Sequence, residues 1–284
     1  AGIYTLWISL DSAVPAIHES MRGLTGVVAG IEKALPIFHE HGIYPSANLG
    51  INRNIAGTPI DNISPLDAYH AFKSAFEKYY RFILDLGFTT VNACYPMSIH
   101  NSSDTTLDAI YRATSDARLV QFSNLEKAAV FRALFDVIPQ FRSKIRIFTP
   151  RSALYALIKQ YLLGEESCYP CRGGKEFFFI TARGADTYPC GYRGDENLGK
   201  LWELDLRKVD KKCVCRKCDW ECFRDPSELL GPLLDFQTRP ATFVKKLVQE
   251  RDSIKLWYQD LRYFSACGFF SGRIPPDYKK LSKF

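Results

Sequence analysis

Apolar and polar positions over the first 164 residues alternate between short strand-like runs and longer helix-like ones. Residues 4–10 (YTLWISL) are rich in β-branched and aromatic side chains and stop at Asp11, which predicts a strand. Over 27–41 the apolar residues Val27, Val28, Ile31, Leu35 and Phe38 recur at helical spacing, with His39 and His41 in the last turn and Gly42 just beyond. Pro36 inside this stretch is expected to kink it. Residues 46–52 read as a second strand, and Ser64-Pro65 supplies the N-cap and first position of a long helix to about 86. Gly87 stops that helix before a third strand at 88–94. Ser123 with Glu126 forms a capping box for a helix to about 138. A short fourth strand at 144–148 and a helix over 150–163 follow. Repeated βα units predict a parallel sheet with helices outside it. Four strands are half of the eight that normally close a (β/α) barrel.

After Gly164 the pattern changes. Cysteines, glycines and short strands at 177–182 and 187–189 replace the long helices, with a turn at Arg183-Gly184-Ala185-Asp186 between them. Connecting structure is expected over 226–240 and a terminal helix over 241–262. The change of texture places a domain boundary near 165, dividing the chain into 1–164 and 165–284.

Composition narrows the function classes. Apolar residues are 46% and charged residues 24%, ordinary for a globular protein. No run of about 18 apolar residues predicts a membrane span, and no secretory pattern opens the chain. A cytoplasmic location is the expectation. The net charge of +6 is mild, and its densest basic stretch, 207–217, is interleaved with cysteines rather than gathered on one face. Nucleic-acid binding is therefore not expected. Nucleotide-loop, zinc-protease and nucleophile-elbow motifs are absent, and His39-Glu40-His41 has the wrong spacing for two ligands on one helical face.

The cysteines change the picture most. Of nine, seven lie between Cys168 and Cys222: Cys168, Cys171, Cys190, Cys213, Cys215, Cys218 and Cys222. Disulfides suit an exported domain, so metal ligation is the better reading. Close thiolates on short loops can meet at one centre, and spacing alone leaves iron–sulfur and zinc both open. Arg207, Lys208, Lys211, Lys212, Arg216 and Lys217 are expected to lower the thiol pKa values and offset an anionic cluster. A zinc-binding interaction module without catalytic activity is the alternative. Cys94, at the end of the third strand, reads as an apolar filler or a cavity-facing thiol.

Cys171-Arg-Gly-Gly, then a strand, Gly184, Tyr188-Pro189-Cys190 and the run Cys213-x-Cys215-x2-Cys218-x3-Cys222 resemble a SPASM or twitch domain. Such domains hold auxiliary iron–sulfur clusters in many radical S-adenosylmethionine (SAM) enzymes. The usual x5 interval is missing, and Cys213-x-Cys215 stands in its place. By the family's ligand order the resemblance implies one [4Fe–4S] cluster on Cys168, Cys171, Cys190 and Cys222. A second would use Cys213, Cys215, Cys218 and Cys267, the last of which also reads as a buried free thiol.

The N-terminal end resembles the same family. Ile8-Ser9-Leu10-Asp11, then His18-Glu19-Ser20-Met21-Arg22-Gly23 and a helix with Gly30-Ile31, looks like the fourth βα unit of a radical SAM barrel. The resemblance implies SAM- or cavity-facing roles for Ser9, Asp11 and Arg22, and for Arg53 a pairing with the SAM carboxylate. The fold expected is thus α/β, the C-terminal half of a (β/α) barrel followed by a cysteine-rich cluster domain. No C-x3-C-x2-C precedes Cys168, so this chain alone is not expected to cleave SAM. The whole enzyme would need the missing N-terminal barrel portion, fused or on a separate chain. It would also need a reducing donor such as a flavodoxin or ferredoxin. Its radical would act on a peptide, protein or small-molecule substrate.

Overall fold

The computed structural model describes residues 3–96, 118–209, 215–216 and 219–284. The expected strands all form, though shorter: β1 (Trp7–Ser9), β2 (Ser46–Gly50), β3 (Thr90–Cys94) and β4 (Arg146–Ile147). They make one sheet in chain order, every pair parallel. The intervening helices are α1 (Pro15–Arg22), α2 (Val27–Glu40), α3 (Pro65–Asp85), α4 (Asn124–Phe141) and α5 (Arg151–Leu163). Ser64 caps α3 through Asp67 N–H, and both halves of the Ser123–Glu126 capping box are present on α4.

Register divides the sheet into two faces. Ile8, Ala47, Val91 and Ile147 stand in one row, as do Leu49 and Ala93. Apart from the half-buried Ile8, these are buried in the main core with Phe72, Phe76, Tyr79, Phe131 and Leu154 from the helices. The alternate positions form polar rows: Ser9, Asn48 and Asn92, and below them Ser46, Thr90 and Arg146. The lower row is closed by the chain's end, where Arg146 Nη1 donates to Ser271 O at 3.0 Å and Ile274 O at 2.9 Å. Phe148 packs between Trp7 and Phe270 at 5.5 and 4.6 Å. The upper row, at the strands' C-terminal ends, is partly open.

A short hairpin, β5 (Phe179–Ile180) and β6 (Thr187–Tyr188), follows. The chain then departs from expectation. In place of connecting structure, α6 (Glu221–Thr238) runs through Pro226 and Pro232. An interior proline costs about 3 kcal/mol, and here tertiary contacts outweigh it. Phe223, Ser227 and Gly231 are buried at helical spacing, Ser227 Oγ donates to Phe223 O at 2.6 Å, and Arg224 pairs with Glu228 at 3.2 Å. The single terminal helix expected is two, α7 (Pro240–Gln249) and α8 (Arg251–Ala266), broken at Glu250 where ψ swings to 40°. A last turn, α9 (Tyr278–Leu281), follows.

Two cores result. The main one, around the parallel sheet, also takes Tyr263, Cys267 and Leu281 from the far end of the chain. The second gathers Cys171, Cys190, Tyr192, Trp220 and Phe223, with Cys215 packed against it. Among the described residues, no helix is long and apolar enough to cross a membrane.

Candidate functional site

Asp11 follows β1 and is buried at the strand ends. Its Oδ2 accepts from Arg22 Nε at 2.6 Å, and its Oδ1 accepts from Gly50 N at 3.2 Å. Its backbone N–H donates to His18 Nδ1 at 3.1 Å, and Asn52 Nδ2 donates to both Asp11 O and Gly50 O at 2.7 Å. Asp11 and Arg22 are thus brought together, tying α1 to the ends of β1 and β2. Gly50 is required there, since a Cβ would lie 2.9 Å from Asp11 Oδ1. Gly50→Ala is expected to displace the carboxylate and cost about 1–3 kcal/mol in urea unfolding. Gly30→Ala, at a mid-helix position with open space, should be neutral or stabilising.

His18 supplies a pH signature. Burial pushes its imidazole below the usual value, and Asp11 opposes that shift. Its Nδ1 accepts a backbone N–H, so the fold holds it neutral. The unfolded chain takes up the proton near the ordinary value of about 6.5, so stability falls as pH drops through that point. His18→Asn, which keeps an acceptor, should flatten this part of the urea-midpoint profile between about pH 7.5 and 5.5.

Ser9 heads the open polar row beside Asn48 and Asn92. Asn48 Oδ1 accepts from Asn92 Nδ2 at 3.2 Å and from Cys94 Sγ at 3.3 Å. Cys94 is also hydrogen-bonded to Glu221, and burial drives its thiol pKa far up, so it stays protonated. Glu221 opens α6 and accepts from Cys222 Sγ at 3.3 Å. Burial raises its pKa, and its Oε2 is buried without a partner. One residue along, Tyr95 OH donates to Asp225 at 3.0 Å. The polar face of the sheet therefore meets the cysteine-rich segment directly.

Arg53 lies elsewhere. Its guanidinium stacks over Phe122 at 4.5 Å, pairs with Glu126 at 2.8 Å, and donates to Ile60 O and Gln121 O. Among the described residues no bond joins it to Asp11 or Arg22.

The described cysteines of this set fall in four surroundings. Cys171, Cys190 and Cys215 share the second core around Trp220, where Cys171 N donates to Cys215 O at 2.7 Å. Gly173 N–H donates to Cys171 Sγ at 3.3 Å, and a Cβ on Gly173 would meet Pro189 O at 2.8 Å. Gly173, with Gly174 whose Cβ would meet Pro189 Cβ at 2.7 Å, lets the 171 loop close on Pro189-Cys190. Cys168 turns away toward Glu250, Lys159 and Glu228, and its thiol is pushed up to about 11, chiefly by burial. Cys222 is exposed yet faces Glu221, and desolvation of its sulfur together with the Glu221 charge raises its thiol, where the basic run was expected to lower it. Cys267 is buried in the main core beside Tyr263, its pKa pushed up by burial to about 11. Cys213 and Cys218 lie outside the described residues.

An apolar shell, an N–H donor to sulfur and a glycine cradle suit a thiolate-ligated cluster in kind. The described thiols do not complete one, since no group of three or more His, Cys, Asp or Glu among the described residues is arranged to hold a metal ion.

Sequence reasoning missed Asn48, Asn92 and Glu221. The signal for the first two was the polar alternation within β2 and β3, legible only once register pairs them. Glu221 was hidden in the cysteine run.

No protein-family model matches the chain, and no curated protein matches it. A solved structure described as native anSMEcpe with bound AdoMet is similar at 17% identity and a TM-score of 0.39, over 72% of this chain and 48% of that one. The chain thus spans about half the length of that protein. At that identity and score the likeness assigns no site residue.

Proposed function

We propose that this chain is part of a radical SAM enzyme, contributing half of its barrel and an auxiliary iron–sulfur domain. The observation that carries this reading is the meeting of the polar strand-end row with the cysteine-rich segment, through Cys94 and Glu221. Strand C-terminal ends are where (β/α) barrels build their sites. A hydrogen-bonding face there, ending on a thiol-rich segment, suits a cavity shared by SAM, substrate and an auxiliary cluster.

A reduced [4Fe–4S] cluster on the remainder of the enzyme would give one electron to SAM, whose sulfur–C5′ bond would break to release methionine and a 5′-deoxyadenosyl radical that takes a hydrogen atom from the substrate. In this chain Asp11 fixes Arg22 at the cavity rim, while Ser9, Asn48 and Asn92 offer hydrogen bonds to the bound molecules. Burial raises the Glu221 carboxyl pKa, and the protonated Cys94 beside it adds no charge to the interior. Cys171 and Cys190, in the second core, would be two of the thiolates of a [4Fe–4S] cluster, which would supply an electron-accepting or substrate-binding centre. β1 pairs with β2 alone among the described residues, and its free edge suits the remaining barrel portion. The substrate is a peptide, protein or small molecule, and the electron donor a flavodoxin or ferredoxin.

The cysteine replacements test this reading. After anaerobic reconstitution, Cys171→Ala and Cys190→Ala should each lower bound iron by about four per chain. Cys94→Ala should leave it unchanged. Equal iron in all three variants and wild type contradicts the assignment.

A further inference from the structure

Tyr169 and Ser152 are each buried, and each carries a hydroxyl with no hydrogen-bond partner. Both line one narrow cavity between α5, α6, α8 and the 166–169 loop, shared with Glu228, Cys168, Lys159 and Ser253. Neither hydroxyl is free to search for a partner elsewhere. The Tyr169 ring lies against Gly231, where a Cβ would sit only 2.2 Å from Cδ1, and Lys246 Nζ covers it at 4.0 Å. Lys246 is itself fixed by Cys168 O at 3.0 Å and Asp235 at 2.7 Å. Ser152 is pinned through its backbone N–H to Asp260 Oδ2 at 2.8 Å.

Leaving two buried hydroxyls unpaired costs free energy at each. The cavity holds about 20 Å³, room for an ordered water, which needs two to four polar partners. We infer that this cavity is a water site, holding one buried water that bridges Ser152 Oγ and Tyr169 OH beside Glu228, which also lines it. The water joins α5, a helix of the first unit, to Tyr169, two residues before Cys171. Nothing in this inference depends on the proposed function.

Urea unfolding of the full chain, with wild type and variants at the same metal content, tests it. Tyr169→Phe and Ser152→Ala should each lower the folding equilibrium constant by roughly fivefold, the usual net worth of one hydrogen bond. The double variant should lose less than the product of the two, because the second deletion acts on a water already weakened. A Phe variant as stable as wild type, or more stable, overturns the site, since removing a dry orphan hydroxyl relieves a penalty. Independent, multiplying losses overturn it too. A crystal structure with a water within about 3.2 Å of both hydroxyls supports it, and an empty cavity refutes it.

Discussion

Replacing Asp260 with alanine is expected to cost the fold about 3–5 kcal/mol, a large part of the 5–15 kcal/mol that holds a typical domain together. Asp260 is fully buried in α8 and pairs with Arg142 at the end of α4. Its second oxygen accepts from Ser152 N and so caps α5 from outside the helix. Arg142 stacks over Tyr263 at 4.4 Å, and Tyr263 OH donates to Ile145 O at 2.9 Å while accepting from Ile147 N at 2.8 Å. Removing the carboxylate leaves a buried guanidinium uncompensated and an N-terminal donor of α5 unpaired. Asp260→Asn keeps the cap acceptor and should lose less. Urea unfolding measures both, and a loss under about 1 kcal/mol for alanine would show that α8 does not clamp the first unit.

Lys127→Met is expected to have a comparable effect, felt mainly in the cysteine-rich segment. Lys127 is buried in α4, its Nζ 2.6 Å from Asp219 and 4.9 Å from the Tyr161 ring centre. Tyr161 OH donates to the same carboxylate at 2.8 Å. Asp219 immediately precedes Trp220, the centre of the second core. Methionine matches the stem but leaves Asp219 buried without its cation, a loss of about 3–5 kcal/mol. Limited proteolysis should then cut within 165–220 well before it cuts α3 or α4. Asp219→Asn in the Met background should recover part of the loss, because the stranded charge is gone. Uniform proteolysis across the chain would contradict this local role.

The sequence carried the first half of the fold well. Each βα unit announces itself locally: Ser64-Pro65 and Ser123 with Glu126 start helices, and Gly87 ends one. These signals act over three or four residues and need no tertiary partner. The second half is governed by contacts distant in sequence. Pro226 and Pro232 argue against a helix, and only the burial of Phe223, Ser227 and Gly231 with the Arg224–Glu228 pair makes α6 hold. The site was legible in the same uneven way. Asp11 and Arg22, singled out by the resemblance, pair across eleven residues, whereas Arg53 is occupied by Glu126 and Gln121, some 70 positions onward. Asn48, Asn92 and Glu221 acquire meaning only from strand register and from the return of α6 to the sheet.

The central claim is that the cysteine-rich half binds iron and sulfide. The most direct measurement is iron, sulfide and zinc content per chain after anaerobic reconstitution, read together with absorbance near 400 nm. The account predicts a brown protein with about four irons and four sulfides, or about eight of each if a second cluster forms. A colourless chain that retains zinc and takes up no iron would contradict it, and would mark the domain as a zinc-binding module.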